Sequence, residues 1–455
     1  MRPTFPARVC LLIALCASSA ARAQEEQDDE LGATANVAAP VTARAPEDAT
    51  AAGTVVVLDK RELALESLSE ALRQVPGARI QSTGGHGART TIALRSGQAN
   101  HVRVLLDTIA LDTPDVGAFD LSLVPPALLE RVEVYRGGAP AWWSDGAIGG
   151  VVRLVPAQAR DTHARAELGY ASFGHYELAL THALARSDGA RPSLLAHAHL
   201  SGAGNDYLYE DDQVTRFVSG DERLVRQRNA RVDSGDGLLH AGVDAGGGRL
   251  TLLLTGSGRS EGLPGPLAQP AEHAHRQLIR MLAGVGFLRE SFAPDGERSS
   301  RIQLSASASQ QTQRVSDQSE LDMGRPVESD DVWRRATVRA GGGLRVLPWL
   351  EPTVVATATL DGFAPDDPLA FSAPPRASRR SSEALAFEPR AYGMLAGMRA
   401  ELRPSLRVEL SQARIGDPER SSAALRSNAV APTFRLAALL APLPALAFSA
   451  SAASG

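Results

Sequence analysis

Cysteine is almost missing from this 455-residue chain: Cys10 and Cys16 are the two examples. Both fall in an N-terminal stretch that reads as a removable export signal, so the mature chain would hold none. That excludes disulfides, thiolate chemistry and a cysteine-ligated metal. Long hydrophobic runs are also missing after the signal, and the mean hydropathy is −0.12. An inner-membrane helical protein is thereby excluded, but a β-barrel is not, because its alternating strands average to neutral hydropathy. Aromatic residues make up only 5%, few for a barrel with full interfacial girdles. Neither sign of charge dominates: 47 Lys and Arg against 52 Asp and Glu leave −5, which gives nucleic acid no reason to bind. Catalytic spacings are lacking as well. There is no Ser/His/Asp or zinc-spaced set. The Gly84-Gly85-His86-Gly87 run is followed by Ala88-Arg89-Thr90, where a P-loop needs Gly-Lys-Ser/Thr. No enzyme activity, cofactor or metal is expected.

The N-terminus supplies what an exported chain requires. Arg2 and Arg8 make a basic region, Val9 to Ala17 an apolar one, and Ala21-Arg22-Ala23 a cleavage site, so residues 1–23 read as a signal peptide. Residues 24–53 are polar, first acidic and then rich in Ala, Pro and Thr, which is the composition of a flexible leader.

Residues 54–156 read as one small α+β domain. Thr54 to Leu58 is a short apolar strand. Ser67 and Glu70 form a capping box, after which Leu68, Ala71, Leu72 and Val75 share one helical face, and Pro76-Gly77 stops it. Strands follow at Ala78–Gln81, Thr91–Arg95, Val102–Leu106, Arg131–Tyr135 and Val151–Leu154, with a short helical pattern at Leu123–Leu129. Between the last two strands lie Gly137, Gly138, Gly146, Gly149 and Gly150 and a Trp142-Trp143 pair. Glycine at that density marks backbone that needs positive φ or close approach to another surface.

From about residue 160 the period becomes two and stays two. Ala164, Ala166, Leu168 and Tyr170 alternate with polar or small residues, as do Leu250, Leu252 and Leu254, Ile302 to Ala308, and Leu406, Val408 and Leu410. Residues 160–455 hold about twelve to fourteen such strands, separated by polar stretches at 204–227, 262–274 and 361–382. Strand after strand with one apolar face is the transmembrane β-barrel pattern. The alternative is a soluble β-sandwich. His197 and His199 share a face but have no carboxylate fixed beside them in sequence, so they read as polar lumen residues. A plugged transporter barrel has about 22 strands, so the barrel reads as incomplete and the chain as a fragment.

Residues 120–154 closely resemble the end of the plug domain in TonB-dependent outer-membrane receptors. The resemblance is carried by Val124-Pro125, Leu129-Glu130-Arg131-Val132-Glu133-Val134, Arg136-Gly137 and Gly146-Ala147-Ile148-Gly149-Gly150-Val151-Val152. Leu72 to Gly77, Leu94-Arg95-Ser96 and Val104 to Thr108 fit the same plug pattern, with Ser96 and Thr108 in place of family glycines. The resemblance implies a small α+β plug followed by an antiparallel transmembrane β-barrel in the cell outer membrane. It further implies active uptake of a scarce large solute, siderophore-iron or cobalamin. The partners would be a TonB-type energy-transducing protein, outer-membrane lipid and the extracellular chelate or vitamin. Val41, Thr42 and Ala43 stand where such receptors carry the TonB box, an unpaired segment that adds as a strand to its partner. His86 and Arg89 would lie on a plug loop facing the ligand. Glu130, Arg131, Glu133 and Arg136 are expected to face the barrel wall in releasable ion pairs. The competing reading is a periplasmic plug-bearing signalling or interaction protein with a soluble β-domain.

Overall fold

A computed structural model describes residues 53–57, 68–82, 84–95, 97–112, 118–136, 139–143, 149–185, 192–211, 223–265, 270–318, 326–367, 369, 376–416, 425–443 and 446–453. The export signal and Val41-Thr42-Ala43 lie outside them, as does Ser67 of the capping box.

The N-terminal domain is a five-stranded sheet with a small hairpin and a short helix against it. Its strands are β1 (Gly53–Val57), β4 (Val102–Leu106), β5 (Ile109–Ala110), β6 (Leu129–Arg136) and β7 (Gly150–Pro156), in the order β1-β6-β7-β4-β5. β4 and β7 run parallel, and the other neighbours are antiparallel. β2 (Ala78–Ser82) and β3 (Thr90–Leu94) make the hairpin, and α1 (Leu68–Arg73) is the helix. The expected helix over Leu123–Leu129 is two single turns, Leu121–Leu123 and Pro126–Leu128. Proline at the start of the second is tolerated because the first amide of a helix has no partner to lose.

Period-two alternation sorts this sheet into two faces. Val132, Val134, Val152, Leu154 and Val104 pack with Leu68, Leu72 and Leu94 into the main core. Several of these side chains are wholly buried, and each contributes about 1.5–3 kcal/mol relative to exposure. Tyr135, Val151 and Leu105 point the other way, into a second cluster with Trp142, Trp143, Val355 and Ala386.

The remaining strands form one antiparallel sheet. In order they are β8 (His163–Ala171), β9 (His175–Leu184), β10 (Ser193–Ala203), β13 (Val232–Ala245), β14 (Gly248–Gly262), β15 (His275–Phe292), β16 (Arg298–Gln318), β17 (Pro326–Leu344), β18 (Leu350–Ala364), β19 (Ser378–Leu395), β20 (Met398–Ile415), β21 (Leu425–Leu443) and β22 (Leu446–Ala453). A separate hairpin, β11 (Leu208–Asp211) with β12 (Arg223–Arg226), sits in the connection after β10. The polar stretch at 361–382 is shorter than expected as a loop, because β18 runs on to Ala364 and β19 begins at Ser378. The sheet is an open one: among the described residues β8 and β22 are its two edges.

The alternation of this sheet is inverted relative to a water-soluble protein. Leu168, Ile279, Met281, Val338, Leu360 and Leu385 are exposed on one face, Leu168 at 86%. Arg259, Arg280, Arg301, Arg339, Glu388 and Arg435 are buried on the other. Apolar outside and charged inside is the arrangement of a strand with lipid on one side and a lumen on the other. Short turns such as Gly246-Gly247 and Ala396-Gly397 close one end of the sheet, and the longer connections close the other. In membrane barrels the long connections are extracellular and the short ones periplasmic.

Candidate functional site: the interface between plug and barrel wall

The N-terminal domain sits on the charged face of the sheet and is held along the whole height of the wall. At the long-loop end the Gly84–Gly87 loop meets the barrel. Asn205 closes a pair of hydrogen bonds on the His86 backbone: its Oδ1 accepts from the His86 amide at 3.1 Å, and its Nδ2 donates to the His86 carbonyl at 3.0 Å. A third bond, from Nδ2 to the Ala230 carbonyl, fixes Asn205 itself. Asn205 holds φ at 50°, a conformation that Asn tolerates better than most residues. The His86 ring packs at 4.0 Å on that of His175. Burial of the ring and the adjacent His175 imidazole bring its pKa down to about 4, so it is neutral at neutral pH.

Arg89 lines a cleft of about 140 Å³ between plug and wall, together with Asp120, Arg259, Arg276, Gln311 and Gln313. Asp120 organises one side. Its carboxylate accepts from the Thr90 and Ser122 amides and from Arg259 Nη1 at 3.1 Å. Arg259 also donates to the Ser122 carbonyl at 2.8 Å. Glu261 also lines the cleft and pairs with Arg276, so the cleft carries charges of both signs.

Deeper contacts follow at mid-height. Arg280 lies over the Phe119 ring and donates to the Leu111 carbonyl. Arg335 donates to the Asp112 carbonyl at 2.8 Å and pairs with the carboxylates of Asp112 and Asp361. Towards the short-turn end, Glu388 accepts from the Ala141 amide at 3.1 Å, and Arg339 donates to the Trp142 carbonyl at 3.2 Å.

Among the described contacts, those of the four charges expected to pair with the wall run within the plug and to its connector: Glu133 and Arg131 pair with plug residues, Glu130 with Arg160, and Arg136 bonds a plug carbonyl. Glu133 lies on the sheet face turned to the wall, but its carboxylate takes Arg131 at 2.8 Å, Arg153 at 3.0 Å and the Tyr135 hydroxyl at 2.9 Å. Arg131 and Tyr135 are two residues away on the same face of β6, and Arg153 is opposite on β7. Burial pushes the Glu133 carboxyl up, but Arg153 and Arg131 outweigh it and hold it below the ordinary value near 4.5. Arg153 also binds Asp107 at 2.7 Å and stacks on Trp143 at 3.7 Å. Glu130 pairs with Arg160, in the connector to the barrel, and Arg136 donates to the Pro76 carbonyl. Among the plug residues that do contact the wall are Asp112, Asp120, Ala141 and Trp142.

His197 and His199 are buried on the lumen face, and the carboxylates missing from their sequence neighbourhood arrive from other strands. His199 bonds Asp236 at 2.8 Å and Glu177 at 3.2 Å, while His197 bonds Thr181 at 2.8 Å. Among the described residues no group of three or more His, Cys, Asp or Glu is arranged to hold a metal ion.

The N-terminal domain is thus seated on the charged face of an antiparallel sheet that turns apolar side chains outward. Residues 47–151 match the TonB-dependent receptor plug domain. That match covers the N-terminal domain, and the likeness of the whole chain to solved structures is one of fold. Solved structures of similar fold include the ferric citrate transporter FecA in unliganded form, with a TM-score of 0.66, 16% identity, 89% of this chain and 62% of that one covered. The FrpB iron transporter from Neisseria meningitidis gives 0.66 and 13%, covering 87% and 62%. The copper transporter OprC gives 0.63 and 13%, covering 85% and 62%. This chain thus spans less than two thirds of the length of each.

Proposed function

We propose that this protein is a TonB-dependent outer-membrane receptor for active uptake of an anionic metal chelate of the siderophore or citrate class. The observation that carries the reading is the plug held against the lumen face by Asp120–Arg259, Asp112–Arg335 and Ala141–Glu388. The apolar outer face of the same sheet supports an outer-membrane location, reached through the signal at residues 1–23. The leader, with Val41, Thr42 and Ala43 as the TonB box, would be pulled by the energy-transducing protein and rearrange the plug. His86 and Arg89 would meet the ligand at the plug apex. Arg89 at the long-loop cleft supports an anionic ligand, as does the likeness in fold to a ferric citrate transporter and an iron transporter.

Binding of ferric citrate to outer-membrane vesicles carrying the full chain tests the ligand class. The double substitution His86→Ala with Arg89→Ala should weaken binding at least tenfold. Unchanged affinity, or binding of cobalamin in its place, would overturn the assignment. The soluble β-domain alternative is separated by heat-modifiable gel mobility in outer-membrane fractions, which a sandwich does not show.

A further inference from the structure

The sequence run Gly341-Gly342-Gly343 lies inside β17, where glycine has no side chain to pack and weakens the strand unless another group needs the space. The space is taken by Trp142. A Cβ at Gly341 would come within 2.5 Å of the Trp142 ring, whereas one at Gly343 would first meet Thr353 Oγ1 at 3.0 Å and Glu351 Oε1 at 3.3 Å, with the indole at an ordinary 3.6 Å. Gly342, on the opposite face, would meet only a backbone oxygen at 4.0 Å. Arg301 of β16 covers the indole at 4.4 Å, Arg339 of β17 holds the Trp142 carbonyl, and Glu388 of β19 holds the Ala141 amide. Three wall strands thus grip residues 141–142 at the short-turn, periplasmic end.

The topology gives this grip a mechanical meaning. β1 is an edge strand, hydrogen-bonded to β6 alone in its sheet. Gly53 pairs with Tyr135 and Val57 with Arg131. The leader therefore enters the plug at the same end of β6 that runs on to Trp142. When two antiparallel strands are loaded at adjacent ends, their hydrogen bonds break one after another. Loaded at opposite ends, they must break together. We propose that Trp142, seated over Gly341, is the fixed point against which a pull on the leader unzips β1 from β6, leaving β6 and β7 in place. The inference rests on the energised pull of the receptor reading, and it identifies the first part of the plug to move.

Force spectroscopy on the full chain in a supported bilayer, pulled by its N-terminus, tests it. The native protein should give a short first event of a few tens of ångströms, since β1 holds five residues at about 3.4 Å each. Trp142→Ala and Gly341→Val should merge this event with loss of β6 and β7, freeing the chain to Pro156, about 350 Å. Trp142→Phe, which keeps an aromatic ring in the plug core, should raise the share of long first events several-fold, and Gly342→Ala should leave it unchanged. A long first event in the native protein, or native behaviour in Trp142→Ala, Gly341→Val and Trp142→Phe, would overturn the proposal. The event length tests the anchor alone, whereas uptake that ignores loss of the leader would tell against the receptor reading.

Discussion

The Glu133 network allows a quantitative prediction inside the plug. Glu133 is 1% exposed and the Arg153 side chain 7%. Replacing Glu133 by Ala removes the carboxylate that Arg153, Arg131 and the Tyr135 hydroxyl share, and leaves Arg153 charged in a poorly solvated site. Breaking one partner of a buried pair costs about 3–5 kcal/mol. Arg153 keeps Asp107 at 2.7 Å and the face of Trp143, so the lower figure applies. A loss of about 3 kcal/mol corresponds to roughly 150-fold faster opening. Hydrogen exchange of β6 and β7 amides in the full chain reads this directly. The double substitution Glu133→Leu with Arg153→Met should recover most of the protection, because removing both charges removes the desolvation cost of each. Exchange within twofold of native in Glu133→Ala, or a double variant as unstable as the single, would refute the reasoning. The pH dependence follows from the same group. Its folded pKa is below its unfolded one, so its stabilisation is complete above the ordinary carboxylate value near 4.5 and is lost as pH falls through the lower native value.

Further expectations concern the wall and the apex. Met281, 65% exposed near the middle of β15, faces lipid, so Met281→Arg should cost about 2–4 kcal/mol of membrane stability, measurable by urea titration in vesicles; a cost under 0.5 kcal/mol would mean the face is not in lipid. Asn205→Ala removes three hydrogen bonds and should free the 84–87 loop by about 1–3 kcal/mol, seen as faster exchange of the His86 amide with β6 and β7 unchanged.

The barrel wall was legible in the sequence because a sheet with lipid on one face and a lumen on the other writes its alternation into every strand. Leu250-Leu252-Leu254 and Leu406-Val408-Leu410 carry that signal without help from neighbours. The plug was legible through local devices: the α1 face of Leu68, Ala71 and Leu72, and the strands on either side of the glycine-rich turn. The interface was not. Period two puts Arg131, Glu133 and Tyr135 on one face, but whether they bond the wall or each other depends on Arg153, which β7 brings across. Similarly, Glu177 and Asp236 reach His199 only through strand register. The glycines at 341–343 carry no such local signal. Their meaning required the indole of a residue some two hundred positions earlier.

The most direct test of the receptor account is energised uptake by cells expressing the full chain with residues 37–43 deleted. The account predicts that radiolabelled ferric citrate still binds, that heat-modifiable membrane insertion is unchanged, and that uptake falls to the level of cells lacking the energy-transducing protein. Uptake at the native rate after the deletion would contradict it.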